Sequence, residues 1–441
     1  MASGIAAGRA RKGARRPYER TALANGLRVV TQSIPGARSV AVGIFVGVGS
    51  RREDEAHVGL SHLLEHLVFK GTNRYPDPGG LSEAVEGCGG SVNASTDREL
   101  TIYSARVPAA ASERALEVVA DLVVNPLLRV ADLRSEKPVI VDEIRMYVDS
   151  PGDHVFTLFD GLLFGGHPLG REIAGTPRAV RRASHAAVVA YWERWYRPEN
   201  LVLAAAGAVR HEDLVRTARD WYRSADPSAS PTPLPTPLVA PPVAPPGSVQ
   251  VAWRRLSQGN LCLGMTGVAR NHPDRWPLDL LGAVLGDGMS SRLFVELRER
   301  RSLTYDVSTF GSTYSDCGTF GIHAGFDPDQ ATALVAAILE QLERVVNEPV
   351  AAAELDRARA YVAGRLQLRM EETGSVAAWL GTGESLLPRI LTVDEVIERL
   401  NAVTVDDLLR VARTYVRPDL ARLAVLGPFR SRLRFERMLA G

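Results

Sequence analysis

Apolar positions along this chain follow two periods. Residues 40–48, VAVGIFVGV, are an almost unbroken apolar run and read as a strand. Residues 200–206 read the same way. The pair Gly89 and Gly90 marks a turn, and the alternation after it, reaching Thr101, Ile102 and Tyr103, predicts a further strand. The second period is helical. Leu60, Leu63, Leu64 and Leu67 recur at three- and four-residue intervals and would bury one side of a helix. Helices are also predicted over 111–124, 132–146 and 185–195. Strands mixed with segregated helices point to an α+β fold, each sheet covered by helices.

The pattern occurs twice. Residues 225–246 are rich in proline, cannot be helical, and divide the chain almost in half as an extended, semi-stiff linker. On either side the halves resemble each other. The run YRPENLVLAAAG from Tyr196 matches YVRPDLARLAVLG from Tyr415, and Val123–Pro126 matches Val345–Pro349. The organisation expected is a basic, disordered arm (1–20), a first domain (21–224), the linker (225–247) and a second, homologous domain (248–441). Two such halves could close as a clamshell around a cavity.

Composition narrows the function. With 441 residues, the chain has ample material for more than one core. Its 52 basic and 51 acidic residues nearly cancel, which argues against a nucleic-acid partner or a polybasic membrane footprint. No apolar run is long enough to span a membrane. Cys88, Cys262 and Cys317 are scattered without metal-binding spacing and fit a reducing compartment. Residues 1–17 are basic and acid-free but lack an apolar stretch, so they do not form a secretory signal. A transit peptide and a short basic arm both fit that composition; shortness and scarcity of serine favour the arm and a cytoplasmic location.

The candidate chemistry lies in residues 59–71, GLSHLLEHLVFKG. His62 and His66 are four residues apart and so stack on one helical face, with Glu65 beside them. Two imidazoles so placed can bind one Zn²⁺, and the carboxylate can reach a water on the same metal. The competing reading is a pair of ordinary helix histidines. A catalytic zinc wants a third protein ligand. Glu136 and Glu143, seven residues apart and hence on one face of a predicted helix, are both placed to provide a carboxylate.

HxxEH followed by this glutamate pair resembles the M16 metallopeptidases, the family of pitrilysin, insulin-degrading enzyme and the mitochondrial processing peptidase. The resemblance implies that His62, His66 and Glu143 bind one Zn²⁺ per chain, that Glu65 is the general base, and that Glu136 is an accessory glutamate of the catalytic site. It extends to GGSVNASTDRELT, residues 89–101, where Asn93 and Ala94 would lie at a strand edge that pairs with an extended peptide. For Asn93 a plain turn role is equally open. Arg298 and Tyr305, seven apart, match an Arg/Tyr pair that contacts substrate in the family's second half; a surface arginine and a packed tyrosine are the alternative. Aligning the halves sets Asp279, Gly282 and Ala283 where His62, Glu65 and His66 stand, and Arg365 where Glu143 stands, so the second half cannot hold this metal.

The resemblance further implies the M16/LuxS-like metallohydrolase fold and a zinc endopeptidase or oligopeptidase acting on peptides or unfolded segments. It also implies a homodimer, or a heterodimer with a metal-free paralogue. The alternatives are a non-proteolytic scaffold subunit of a larger complex, or a zinc hydrolase for other substrates.

Overall fold

The computed structural model describes residues 17–221 and 248–439. The proline-rich linker and nearly all of the basic arm lie outside the described residues. The first half contains strands β1 (Glu19–Ala22), β2 (Arg28–Ser33), β3 (Ser39–Val46), β4 (Ser91–Thr96), β5 (Thr101–Pro108) and β6 (Leu201–Gly207). Its helices are α1 (Leu60–Val68), α2 (Pro78–Glu86), α3 (Ser112–Val124), α4 (Val130–Asp149), α5 (Pro151–Phe164), α6 (Pro177–Arg182), α7 (His185–Trp195) and α8 (His211–Trp221). The second half contributes strands β7 (Val249–Trp253), β8 (Gly259–Gly267), β9 (Asp306–Thr313), β10 (Gly318–Phe326) and β11 (Arg422–Gly427). Its helices are α9 (Arg275–Gly286), α10 (Ala331–Asn347), α11 (Ala352–Arg369), α12 (Thr373–Leu386), α13 (Val393–Ala402), α14 (Val405–Tyr415) and α15 (Leu433–Leu439).

The sheet orders state the repeat in three dimensions. The first sheet runs β1-β2-β6-β3-β5-β4 and the second β7-β11-β8-β10-β9. Apart from β1 the two orders correspond strand for strand, and in each one pair is parallel: β2 with β6, and β7 with β11. The fold is α+β in two like halves.

Central strands are apolar on both faces because both faces are covered. In β3, Val40, Val42, Ile44 and Val46 enter the core under the first half's own helices. Ala41 and Phe45 point the other way, with Val202, Ala204 and Ala206 of β6, and meet Val376, Ala377 and Leu380 of α12. That helix belongs to the second half. The exchange is reciprocal: Val155, Phe159 and Leu163 of α5 pack on Cys262, Ala424 and Leu426 of the second sheet. Approach is close enough to require glycine, since a Cβ on Gly381 of α12 would meet the Phe45 ring at 2.1 Å. The halves are therefore interlocked by two helices, one lent by each half to the other.

Candidate metal centre

Helix α1 follows Gly59, whose φ of 91° lies in the left-handed region that suits glycine. Leu60, Leu63, Leu64 and Leu67 are buried, which turns His62, Glu65 and His66 toward the partly open side. Helix α4 packs against α1 and buries Leu133, Ile140, Val141 and Ile144. Glu136 and Glu143, two turns apart on this helix, then face the histidines.

The three candidate ligands converge. His62 Nε2 is 3.7 Å from Glu143 Oε1, and His66 Nε2 is 3.4 Å from Glu143 Oε2. The imidazole centroids are 4.6 Å apart, and one donor atom from each of the three residues lies within 4.8 Å of the others. Two donors on one tetrahedral zinc, at bond lengths of ~2.0–2.1 Å, stand about 3.3 Å apart. Two imidazoles and one carboxylate at such separations, only partly buried, fit a zinc site with a position left for water or substrate.

The surrounding charges suit that use. Burial and the neighbouring His66 push the His62 imidazole down to about 4, so it is neutral and able to bind metal near pH 7. Burial also acts to lower His66, but its hydrogen bond to Glu136 and the charges of Glu143 and Glu136 prevail and raise it. His66 Nδ1 lies 3.0 Å from Glu136 Oε1, which fixes the ring orientation and leaves Nε2 for the metal. Lys70 Nζ, just after α1, reaches Glu136 Oε2 at 2.5 Å. Burial works against the Glu136 charge, yet the bonds from His66 and Lys70 hold its carboxyl below the usual range.

Glu65 is raised above the usual carboxylate range, chiefly by burial, with the Glu143 charge adding to it. Thr96 Oγ1 donates to its Oε2 at 2.5 Å and moderates the rise. Thr96 ends β4, so the strand-edge segment touches the candidate base through its threonine. Thr96 lies in the strand-edge segment and Lys70 in the helix motif, and neither spacing points to these contacts. Both contacts join residues whose partner is set only by the tertiary fold.

Asn93 is exposed on β4, the edge strand of its sheet, and its Oδ1 accepts the Ala94 N–H at 2.9 Å. Ala94 is half-buried against the first core. Arg298 lies on the helical segment Phe294–Arg300, stacked 4.7 Å over the Phe294 ring and 3.8 Å from Glu299. Tyr305, half-exposed, covers Gly325 of β10, where a Cβ would meet its hydroxyl at 2.6 Å. The metal cluster is thus drawn wholly from the first half. Among the described residues, no hydrogen bond or ion pair links Arg298 or Tyr305 to His62, Glu65, His66 or Glu143.

Comparison with known proteins follows the same division. The family model for insulinase (peptidase family M16) matches residues 28–177, and that for the peptidase M16 inactive domain matches residues 182–362. An uncharacterized zinc protease of Streptomyces coelicolor is 37% identical over 419 residues, covering 94% of this chain and 90% of that protein. The uncharacterized zinc protease YmxG of Bacillus subtilis is 33% identical over 404 residues, 92% of this chain and 97% of its own. Among solved structures, a protease from Helicobacter pylori superimposes with a TM-score of 0.86 at 24% identity, over 93% of this chain and 99% of that one. A Pseudomonas fluorescens structure described as a peptidase M16 inactive domain gives 0.84 at 20% identity, over 94% and 98%. At those identities the two structures speak to fold.

Proposed function

The chain belongs to the M16 peptidase family, and from that premise we propose that it is a zinc endopeptidase or oligopeptidase binding one metal ion per chain. The observation that carries this reading is the convergence of His62 Nε2 and His66 Nε2 on the two oxygens of Glu143. A bound zinc supplies Lewis acidity, polarising a scissile carbonyl and making water acidic enough to be deprotonated near neutral pH. Glu65 accepts the proton of the attacking water and passes it to the leaving amine. Thr96 ties up Glu65 Oε2 and leaves Oε1 for that transfer. Glu136 acts through His66, holding the ring by its Nδ1.

In this reading the first domain (21–224) carries catalysis and the metal-free domain (248–441) is joined to it by residues 225–247. Peptide substrates lie extended along β4, beside Asn93 and Ala94, where an edge strand offers backbone hydrogen bonds with little demand on sequence. Arg298 and Tyr305 serve as substrate contacts that reach from the metal-free half across the cleft toward the metal-bearing one. A second chain, another copy or a metal-free paralogue, completes the assembly. No helix among the described residues is long and apolar enough to cross a membrane. The three cysteines, scattered and free, fit a reducing compartment, and on that ground we assign the protein to the cytoplasm. The full set of His62, Glu65, His66, Glu136 and Glu143 supports a peptidase over a non-proteolytic scaffold.

Hydrolysis of quenched peptides, with and without chelator, tests the reading when paired with metal analysis and native mass measurement. Activity should vanish on chelation and return with zinc, at one ion per chain. A zinc-loaded sample that cleaves no peptide would defeat the proposal.

A further inference from the structure

Helix α1 begins at a glycine, which has no side chain to satisfy the first N–H groups. The cap comes from a distance. Glu53 accepts from Gly59 N–H and Ser61 N–H, both at 2.7 Å, and is only 4% exposed. A buried carboxylate at a helix N-terminus gains from the helix dipole as well as from the two hydrogen bonds. It also fixes where the helix starts, and His62, Glu65 and His66 follow within a turn and a half of Ser61.

The segment carrying Glu53 is itself anchored. Arg171 donates to the Glu53 carbonyl at 3.2 Å. Two residues earlier, in the turn Ser50–Arg52, the Arg51 N–H bonds the Arg98 carbonyl at 2.9 Å. The Arg51 guanidinium, 1% exposed, forks between Glu99 Oε1 at 2.9 Å and Asp316 Oδ2 at 2.5 Å. Asp316 sits in the turn between β9 and β10 of the metal-free half. From that half, too, the Ser315 N–H and Arg270 bond the Glu99 carboxylate at 3.0 and 3.3 Å.

We infer that the metal-free half positions the metal-bearing helix: Asp316 holds Arg51, Arg51 holds the turn before Glu53, and Glu53 sets the start of α1. These are positioning residues, since the contacts described for them run to backbone and to one another. A buried ion cluster is a weak source of stability but a strong constraint on geometry. It supplies the second half, which lacks metal ligands, with a role in catalysis. The inference rests on the zinc-peptidase reading above.

The test compares Asp316→Asn, Asp316→Glu and Glu53→Gln with the wild type in the full chain. Readouts are kcat and KM, zinc affinity by chelator competition, and the visible absorption of the cobalt-substituted protein. Asp316→Asn should lower kcat roughly tenfold with KM nearly unchanged, as expected of a small misplacement of the catalytic group. It should also alter the cobalt spectrum, and Asp316→Glu should recover most of the loss. Glu53→Gln should weaken zinc binding roughly 10- to 100-fold, as loss of a supporting contact does elsewhere. If Glu53→Gln does not fold, Asp316→Asn decides alone, because Asp316 lies on a turn with its side chain 25% exposed. Unchanged kcat and cobalt spectrum in folded Asp316→Asn would overturn the inference while leaving the peptidase reading intact. A wild type that neither binds zinc nor cleaves peptide would remove that reading, and this inference with it.

Discussion

At the scale of single residues, Glu65 and Glu143 differ in what they can lose. Glu65→Gln keeps shape and leaves His62, His66 and Glu143 untouched, so zinc content should stay near one per chain. Turnover should fall roughly 10²- to 10⁴-fold, because an amide cannot take the proton. Glu143→Gln removes the anionic donor facing both Nε2 atoms, and here zinc should be lost together with activity. Metal analysis beside a peptide assay separates the two; normal zinc in Glu143→Gln would assign the third ligand elsewhere, Glu136 being the next to examine. Glu53 offers a pH test. Burial pushes its carboxyl up to about 7 from an ordinary 4.5, against the pull of the Ser61 and Gly59 N–H groups. A raised folded-state value means the native protein holds its proton more tightly than the unfolded chain does. The associated stability is full below about 4.5 and is lost as pH rises through about 7, a total of roughly 3 kcal/mol. In thermal melts of the zinc-free protein, the stability of wild type relative to Glu53→Gln should therefore decline across that window. A difference that grows with pH would show the ionised carboxylate to be the favoured form. The spacing of His62, Glu65 and His66, and of Glu136 and Glu143, was legible in sequence because helical periodicity fixes which residues share a face. Glu53, Thr96 and Lys70 were not, since nothing local says which distant group each will meet.

At the scale of elements, periodicity located the strand at β3 and the helices at α3, α4 and α7 to within a few residues. It could not say which sheet each helix would cover. Helix α5 has an apolar side, but its sequence does not show that Phe159 packs on the other half's sheet, against Phe310 at 5.4 Å and near Gly264. The same holds for α12, where Gly381 admits the Phe45 ring. Small side chains in β6, Ala204 and Ala206, are the faint signal of a closely approaching helix, legible only once the partner is known. Phe159→Ala should consequently cost about 3–5 kcal/mol, the range for emptying a fully buried aromatic site. Since Phe159 bridges the halves, chemical denaturation should move both to a lower midpoint together. Separate transitions, with only the second half displaced, would show that the exchanged helices do not couple them.

At the scale of the whole molecule, the exchange decides what the covalent connection is for. Each sheet has one face covered by its own helices and one by a helix borrowed from the other half. Separated halves would expose Phe45, Val202 and Leu380 on one side, and Phe159, Phe164 and Leu426 on the other, apolar patches of a kind that drives association. The ion cluster of Arg51, Glu99, Arg270 and Asp316 crosses the same boundary and adds orientation to that contact. Residues 225–246 are then expected to act by raising the effective concentration of the halves for each other during folding, and to be dispensable once the protein has folded. A protease site engineered into this segment provides the test. After cleavage the two pieces should co-elute as one particle under native conditions, retain zinc, and hydrolyse peptide at a rate close to that of the uncut chain. If the pieces part on dilution, or stay together but lose turnover, the connection contributes to the assembled site and the interlock of α5 and α12 does not suffice to hold it.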